Sequence, residues 1–384
     1  MYLVGRVISL MIFVAVMFIS CYIVSRSKKS IGTRYLTLYV VVLGLMGFCF
    51  IPHVGADLYR IYNTMAAYAS LDIGNLLNRI SSVSTPGVPL YYFLVGQLGN
   101  KQWLPCISAI ITFSFCFSLL KKELKNEKTY PIYVAIALFA FMSRGLMLQI
   151  ISNIRTLMAL AIVAWCIYEE FYEKKKPLLL IIPYLLAASL HAMGQVMLLY
   201  RVAYLVMGKA KSPIQRILSV SLAAVAGGVV CFFGQSYISA LFDKADSYVS
   251  YAQAGTGYSY GWERLLSVLS LLLTVYLISR FYKYKKLELL QDRCQEDATS
   301  TLVAFMIPLI AADCVMFFVE FNFFQRLSWF ITIATIPLLI SVLRMSCPYG
   351  KDKIIGRNIL IYSFFVLFIA CARGDLCSLK FFLL

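Results

Sequence analysis

Residues 2–24 read YLVGRVISLMIFVAVMFISCYIV and are followed at once by Ser25-Arg26-Ser27-Lys28-Lys29. A helix crosses the hydrocarbon core of a bilayer with about 20 apolar residues, so this run is long enough to span. It is too long for the core of a secretory signal, which carries its positive charge before the apolar stretch and ends in a small-residue cleavage site. Here the charge comes after. Lys and Arg accumulate on the cytoplasmic side of a span, so the run reads as a retained first helix with its N-terminus outside.

The same pattern recurs along the chain. Further apolar runs fall at about 35–51, 103–120, 130–150, 155–171, 177–191, 192–207, 214–234, 264–281, 299–319, 327–344 and 357–373. Of the 384 residues, 61% are hydrophobic and 14% charged. A soluble domain has roughly 45–50% apolar and about 25% charged residues. That composition excludes a soluble enzyme, a disordered chain and a disulfide-stapled secreted domain. The expected fold is all-α: a polytopic integral membrane protein of about 12 transmembrane helices, with residues 1–384 forming a single transmembrane domain.

The net charge of +17 is read as topogenic, with no nucleic acid as partner. The basic residues sit in short blocks between apolar runs, such as Lys121, Lys122, Lys125 and Lys128, or Lys174 to Lys176. Residues 86–99 form a shorter apolar stretch. If it spanned, the Lys-rich 121–128 block would lie outside. It is therefore expected to be a re-entrant or interfacial segment on the outer side, where non-helical backbone is tolerated beside a cavity. Two long outer loops follow from this topology, at 52–102 and 235–263. The inner loops are short and basic, and no glycine-rich phosphate loop lies among them. The cysteines lie mostly inside apolar runs and form no CxxC pair, so neither a metal site nor a disulfide framework is expected.

Several polar residues stand out against this background. Asp57 opens the first outer loop, with Tyr59 and Tyr62 one helical turn apart and able to share its face. An Asp here also starts a helix by accepting backbone N–H bonds, and both readings stand. Arg155 lies in Asn153-Ile154-Arg155 at the outer rim, and Arg144 precedes it inside an apolar run. An ionisable group inside the membrane is a functional hypothesis by default, against snorkelling to the interface. His191 falls at the turn of two short helices and titrates near neutrality. Arg201 lies mid-span in the next helix. Asp313 and Glu320 are seven residues apart and share a helix face, with Arg326 following; Asp313 is deep enough to need a partner, for which an Arg is natural. The second outer loop carries Tyr237, Tyr248, Tyr251, Tyr258, Tyr260 and Trp262 with Asp243, Asp246 and Arg264. Aromatic faces with interspersed carboxylates suit sugars, and an interfacial aromatic belt uses the same residues.

Together these describe an outward-facing, membrane-level site rich in arginine. Arginine suits phosphate or pyrophosphate through bidentate hydrogen bonds. A lipid-linked pyrophosphate lies at this depth, and an attacking sugar hydroxyl needs a base.

The order Gly55-Ala56-Asp57-Leu58-Tyr59…Tyr62, then Asn153-Ile154-Arg155…Ala159, then Ser189-Leu190-His191-Ala192, then Arg326 before an apolar helix, resembles the EpsG-like branch of the Wzy polysaccharide polymerases over roughly residues 35–345. The resemblance implies a GT-C-like membrane glycosyltransferase. Such an enzyme polymerises undecaprenyl-pyrophosphate-linked repeat units, of O-antigen or capsule type, on the outer face of the bacterial cytoplasmic membrane, with no metal and no cofactor. The motif positions are Asp57, Arg155, His191 and Arg326. His191 or Asp57 would serve as catalytic base. Arg155 and Arg326 would hold the donor pyrophosphate, and Arg144 and Arg201 a second phosphate or the field of the cavity. Tyr59, Tyr62, Glu320 and Arg264 complete the expected substrate contacts.

The expected partners are the lipid-linked oligosaccharide, membrane lipids and a chain-length regulator protein. A flippase of lipid-linked sugars and an O-antigen-ligase-like transferase are the alternatives. A flippase should place charge on both faces of a central cavity, whereas here the non-topogenic charges cluster toward the outer half. The topology has a direct test. A cysteine at Ser250 should react with an impermeant thiol reagent added to intact cells and one at Glu127 should not; the reverse labelling contradicts the outward site.

Overall fold

The computed structural model describes residues 2–52, 57–209, 261–289, 298–373 and 375–381. The described residues form helices α1 (Tyr2–Arg26), α2 (Lys29–Cys49), α3 (Asp57–Ala69), α4 (Ile73–Ser82), α5 (Gly87–Gly96), α6 (Trp103–Lys125), α7 (Pro131–Ser143) and α8 (Leu146–Ser152). They continue with α9 (Ile154–Phe171), α10 (Ile181–Leu190), α11 (Ala192–Lys209), α12 (Gly261–Leu289), α13 (Ala298–Val319), α14 (Phe321–Ser346) and α15 (Asp352–Ala372).

Two helices make the centre. Nearly every side chain of α9 and α14 is buried, because α6, α7, α10, α11, α12, α13 and α15 pack around them. Polar contacts fix their direction. The Tyr172 hydroxyl, just past α9, bonds Thr299 Oγ1 at 3.2 Å, and Thr299 bonds Ser341 Oγ of α14 at 3.1 Å. The two helices therefore finish together and run parallel.

That shared end is the basic end. Glu123 of α6 accepts from the Tyr168 hydroxyl at 3.0 Å and lies 3.7 Å from Arg344. Glu169 receives Lys122 at 2.5 Å and Lys175 at 2.9 Å. The Lys29 ammonium donates to the carbonyls of Asn126 and Glu127. Buried carboxylates are tolerated in apolar surroundings only when paired in this way.

The opposite end carries a cap of three short helices, α3 to α5. Asp72 starts α4 by accepting the Asn75 N–H at 2.8 Å, an N-cap that satisfies an orphan donor and holds its carboxyl below the usual range. The α5 helix has 10 residues, about 15 Å at 1.5 Å per residue. That is half of the roughly 30 Å a span needs, so α5 is too short to cross a bilayer by itself. The loop expected at 52–102 is this helical cap. The C-terminal tail also closes this end: the Ile51 N–H donates to the Lys380 carbonyl at 2.8 Å.

The helix count differs from expectation. Among the described residues, seven helices are long and apolar enough to cross a membrane, or eight if α7 and α8 count as one broken span. The expected run at 130–150 is not straight; α7 and α8 meet at 60°. Gly145 between them has φ +79°, a left-handed conformation that terminates a helix and that glycine adopts without strain. The helices over 177–190 and 192–207 are shorter than a full span, and α9 carries three charges, Arg155, Glu169 and Glu170, in 18 residues. The run expected at 214–234 lies outside the described residues. What stands is a polytopic, all-helical membrane protein; the figure of about 12 is not reached among the described residues.

Gly194 sits where α11 leaves α10. A Cβ there would come 2.2 Å from the Ala187 carbonyl oxygen, so only glycine allows the two helices to turn this tightly.

Arg201 of α11 reaches the buried Glu170 of α9. Its Nε lies 2.9 Å from Glu170 Oε2 and its Nη2 bonds the same oxygen, while the Tyr184 hydroxyl donates to Oε1 at 2.6 Å. Removing one partner of a buried pair leaves an uncompensated charge and costs about 3–5 kcal/mol. Arg201→Met should therefore lower the thermal unfolding temperature of the purified protein, and adding Glu170→Met should restore most of it. An Arg201→Met protein as stable as the parent would remove the pair from the account.

Candidate functional site

The cap end gathers most of the polar side chains singled out by sequence, in three groups. The first is the start of α9. Asn153 precedes it, with its amide donating to Gln149 Oε1 at 2.5 Å. Arg155 follows one residue into the helix and is half-buried. Helix N-termini attract anions through unsatisfied N–H groups and the aligned peptide dipoles, and a guanidinium at the same place adds a full charge. Arg155 acts on the Tyr92 hydroxyl of α5 through its field, as do Arg60 and Asp57. The cap helix α3 also packs against α8, just before the α9 start.

The second group is where α12 and α14 begin. Gln325 donates to Glu263 at 2.5 Å, and Arg264 stacks over the Phe321 ring at 4.9 Å. Glu320 is the N-cap of α14, accepting the Asn322 N–H at 3.0 Å and the Phe323 N–H through its other oxygen. Its carboxylate therefore organises the helix that carries Arg326. One turn further in, Arg144 donates to Ser267 Oγ at 3.0 Å, and the Ser328 hydroxyl donates to the Ser267 carbonyl at 3.3 Å.

Arg155 and Arg326 stand at one depth. Both helices are anchored at the Thr299 level of the basic end. At 1.5 Å per residue, Arg155 is roughly 26 Å and Arg326 roughly 23 Å above it. Among the described residues, neither has a carboxylate partner. Asp313 of α13 rises roughly 21 Å above Thr299 by the same measure. It is fully buried, and neither carboxylate oxygen has a hydrogen-bond partner among the described residues. The Arg expected to pair with it is not there.

The third group is α3. Tyr59, Tyr62, Asn63, Ala66 and Ser70 form one stripe and line an open cleft of about 480 Å³ together with Lys101. Asp57 does not share that face. Successive helical residues turn by about 100°, which puts Asp57 roughly opposite Tyr59. It is instead exposed beside Arg60, at 3.0 Å. The Tyr62 hydroxyl donates to Gln102 at 2.9 Å, and burial pushes its phenol pKa up.

His191 is held at the α10–α11 turn in extended backbone. Its Nδ1 accepts the Met193 N–H at 3.0 Å. A neutral imidazole with an accepting Nδ1 carries its proton on Nε2. The Nδ1 side of the ring is thus committed to the start of α11. The turn leans on the α4–α5 connection, where Gln195 donates to the Ser84 carbonyl at 2.8 Å.

Arg201 is not brought to this end, being occupied by Glu170 at the other. The aromatic residues from Tyr237 to Tyr260, with Asp243 and Asp246, lie outside the described residues. Sequence reasoning missed Tyr92 and Lys101. Tyr92 was hidden in the apolar 86–99 stretch; Lys101, a lone cation before a span and away from the basic blocks, was a visible signal.

A fold of membrane-length helices around two parallel central ones, with arginines that lack a carboxylate partner among the described residues at the end opposite the basic blocks, defines a polytopic membrane protein with a polar site at one end of the bundle. The chain belongs to the EpsG family, whose family model matches residues 35–377. No curated protein and no solved structure matches it. Family membership supports a role in membrane polysaccharide biosynthesis and, in general terms, a glycosyltransferase-like polymerase.

The two roles of His191 separate by substitution. Asn accepts a backbone N–H at a helix start as His191 does, whereas Ala loses about 1 kcal/mol of capping. His191→Asn should keep the thermal stability of the parent and still lose polymer, while His191→Ala should lose both. Full polymer from His191→Asn would reduce His191 to a cap.

Proposed function

We propose that the protein is a membrane glycosyltransferase that polymerises undecaprenyl-pyrophosphate-linked oligosaccharide repeat units on the outer face of the bacterial cytoplasmic membrane. The cap end is then the outer end, because the Lys-rich blocks belong inside, and the N-terminus of α1 lies outside with it. The observation that carries the reading is the pair Arg155 and Arg326, at one depth on two central helices and without carboxylate partners among the described residues. Uncompensated arginines at a membrane surface need an anion, and a pyrophosphate fills two guanidinium forks.

In the reaction, the acceptor hydroxyl oxygen bonds to the anomeric carbon of the donor glycan. The bond from that carbon to the pyrophosphate oxygen breaks, and the lipid pyrophosphate leaves with the electron pair. Arg155 and Arg326 stabilise the charge that develops on it. His191, the other candidate base of the matched motif positions, stands at the α10–α11 turn. The proton of the acceptor hydroxyl passes to Asp57, the carboxylate of the matched motif positions and the one with water access. Arg264 and Glu320 hold the α12 and α14 starts in place, and Arg144 anchors the α7–α8 bend to α12. The GT-C-like description belongs to the same proposal, as does a chain-length regulator as partner.

Arg155→Lys keeps the charge and loses the planar fork. The loss of one charged hydrogen bond is about 1.5–3 kcal/mol, or roughly 10- to 150-fold in rate. Polymer should fall by that factor at matched expression, and Arg326→Lys should behave alike. Normal amount and length of polymer from both variants would sink the pyrophosphate role.

A further inference from the structure

The cleft beside α3 has the chemistry of a sugar site, and nothing in the donor machinery requires it. Its lining repeats along one helix face: Tyr59, Tyr62, Asn63, Ala66 and Ser70. Tyr59 is exposed by 42% and offers a flat ring. Tyr62 lies deeper, with the Lys101 ammonium 5.4 Å from its ring centre. Asn63, Ser70 and Lys101 bring hydrogen-bonding groups, and no carboxylate lines the cleft. Stacking rings, a few polar groups and a volume of about 480 Å³ fall in the range of small-molecule sites, about 300–1,000 Å³.

The neighbouring helix sets the depth. Leu90 and Leu94 of α5, with Leu98 just beyond, are exposed by 45%, 58% and 50%. They recur every four residues on one face. An apolar row of this kind is covered by lipid tails when its helix lies in the membrane interface. The cleft between α3 and α5 therefore opens at the level where sugars of a lipid-linked glycan emerge from the bilayer. Asp57 sits on the other side of α3, beside Arg60. The cleft therefore lies on the face of α3 away from Asp57.

We infer that this cleft is a saccharide subsite that holds a sugar of the lipid-linked acceptor before it reaches Asp57. The inference rests on the polymerase reading for the identity of that glycan. The cation and the lack of a carboxylate suit a sugar bearing an acid group as well as a neutral one.

The test is equilibrium binding to the purified full chain in lipid nanodiscs. The probe is the repeat-unit oligosaccharide, released from its lipid by mild acid. Ala66→Phe fills the cleft from an exposed position, and Asn63→Ala removes one polar contact without adding bulk. Both variants should retain the parent unfolding temperature. Ala66→Phe should bind about tenfold more weakly, the loss of one or two hydrogen bonds or their stacking equivalent. Asn63→Ala should bind more weakly by a smaller factor. Should Ala66→Phe fail to fold, Asn63→Ala and Lys101→Gln carry the test. Binding within twofold of the parent by the folded variants would overturn the subsite, as would a parent protein that does not bind the oligosaccharide. A parent that binds while the folded variants bind within twofold of it fails the cleft alone; a parent that does not bind fails the subsite together with the glycan identity, and the arginine variants test the polymerase reading separately.

Discussion

The pairing of buried carboxylates at the basic end is the constraint on which the rest depends. Glu123, Glu169 and Glu170 lie at the ends of α6 and α9, where an unpaired charge would be expensive. Lys122, Lys175, Arg201 and Arg344 reach them there. This locks α6, α9, α11 and α14 in parallel. It also concentrates carboxylate pairing at one end, and Arg155 and Arg326 at the other have no carboxylate partner among the described residues. The partition of charge along the central helices is what turns a bundle into a site with a polarity.

The cap completes that polarity. Its helices are too short to span, and their apolar rows stay exposed on one side while Tyr62 and Tyr92 are buried on the other. Such elements lie across the mouth of a bundle rather than through it. They bring a cleft of tyrosines and a lysine to the same face as the arginines. On the proposed function, a lipid-linked glycan would meet both at the bilayer surface.

Much of this was legible in the sequence. The run at 2–24, the basic blocks and the non-spanning stretch at 86–99 gave the membrane class and the polarity, because hydropathy and charge act locally. Long-range pairing was not legible. Arg201 read as mid-span and functional, yet its partner Glu170 sits 31 residues away in another helix. Arg144 read as part of a straight span, because one Gly145 in a left-handed conformation leaves no mark on hydropathy. Glu320 and His191 were visible as polar residues at helix boundaries, and their capping bonds appear only once the backbone turns are in place. Asp57 and Tyr59 look adjacent in sequence but project to opposite sides of α3, as helical periodicity requires.

The central claim is that this fold joins lipid-linked glycans at the cap end. The most direct test reconstitutes the purified protein in liposomes carrying the lipid-linked repeat unit on the leaflet facing the cap, with no nucleotide sugar present. Chromatography of the lipid extract should show a ladder of two, three and more repeats, with free undecaprenyl pyrophosphate released in step with each bond formed. A lipid-linked pool that stays at one repeat, even if the unit moves between leaflets, would contradict it.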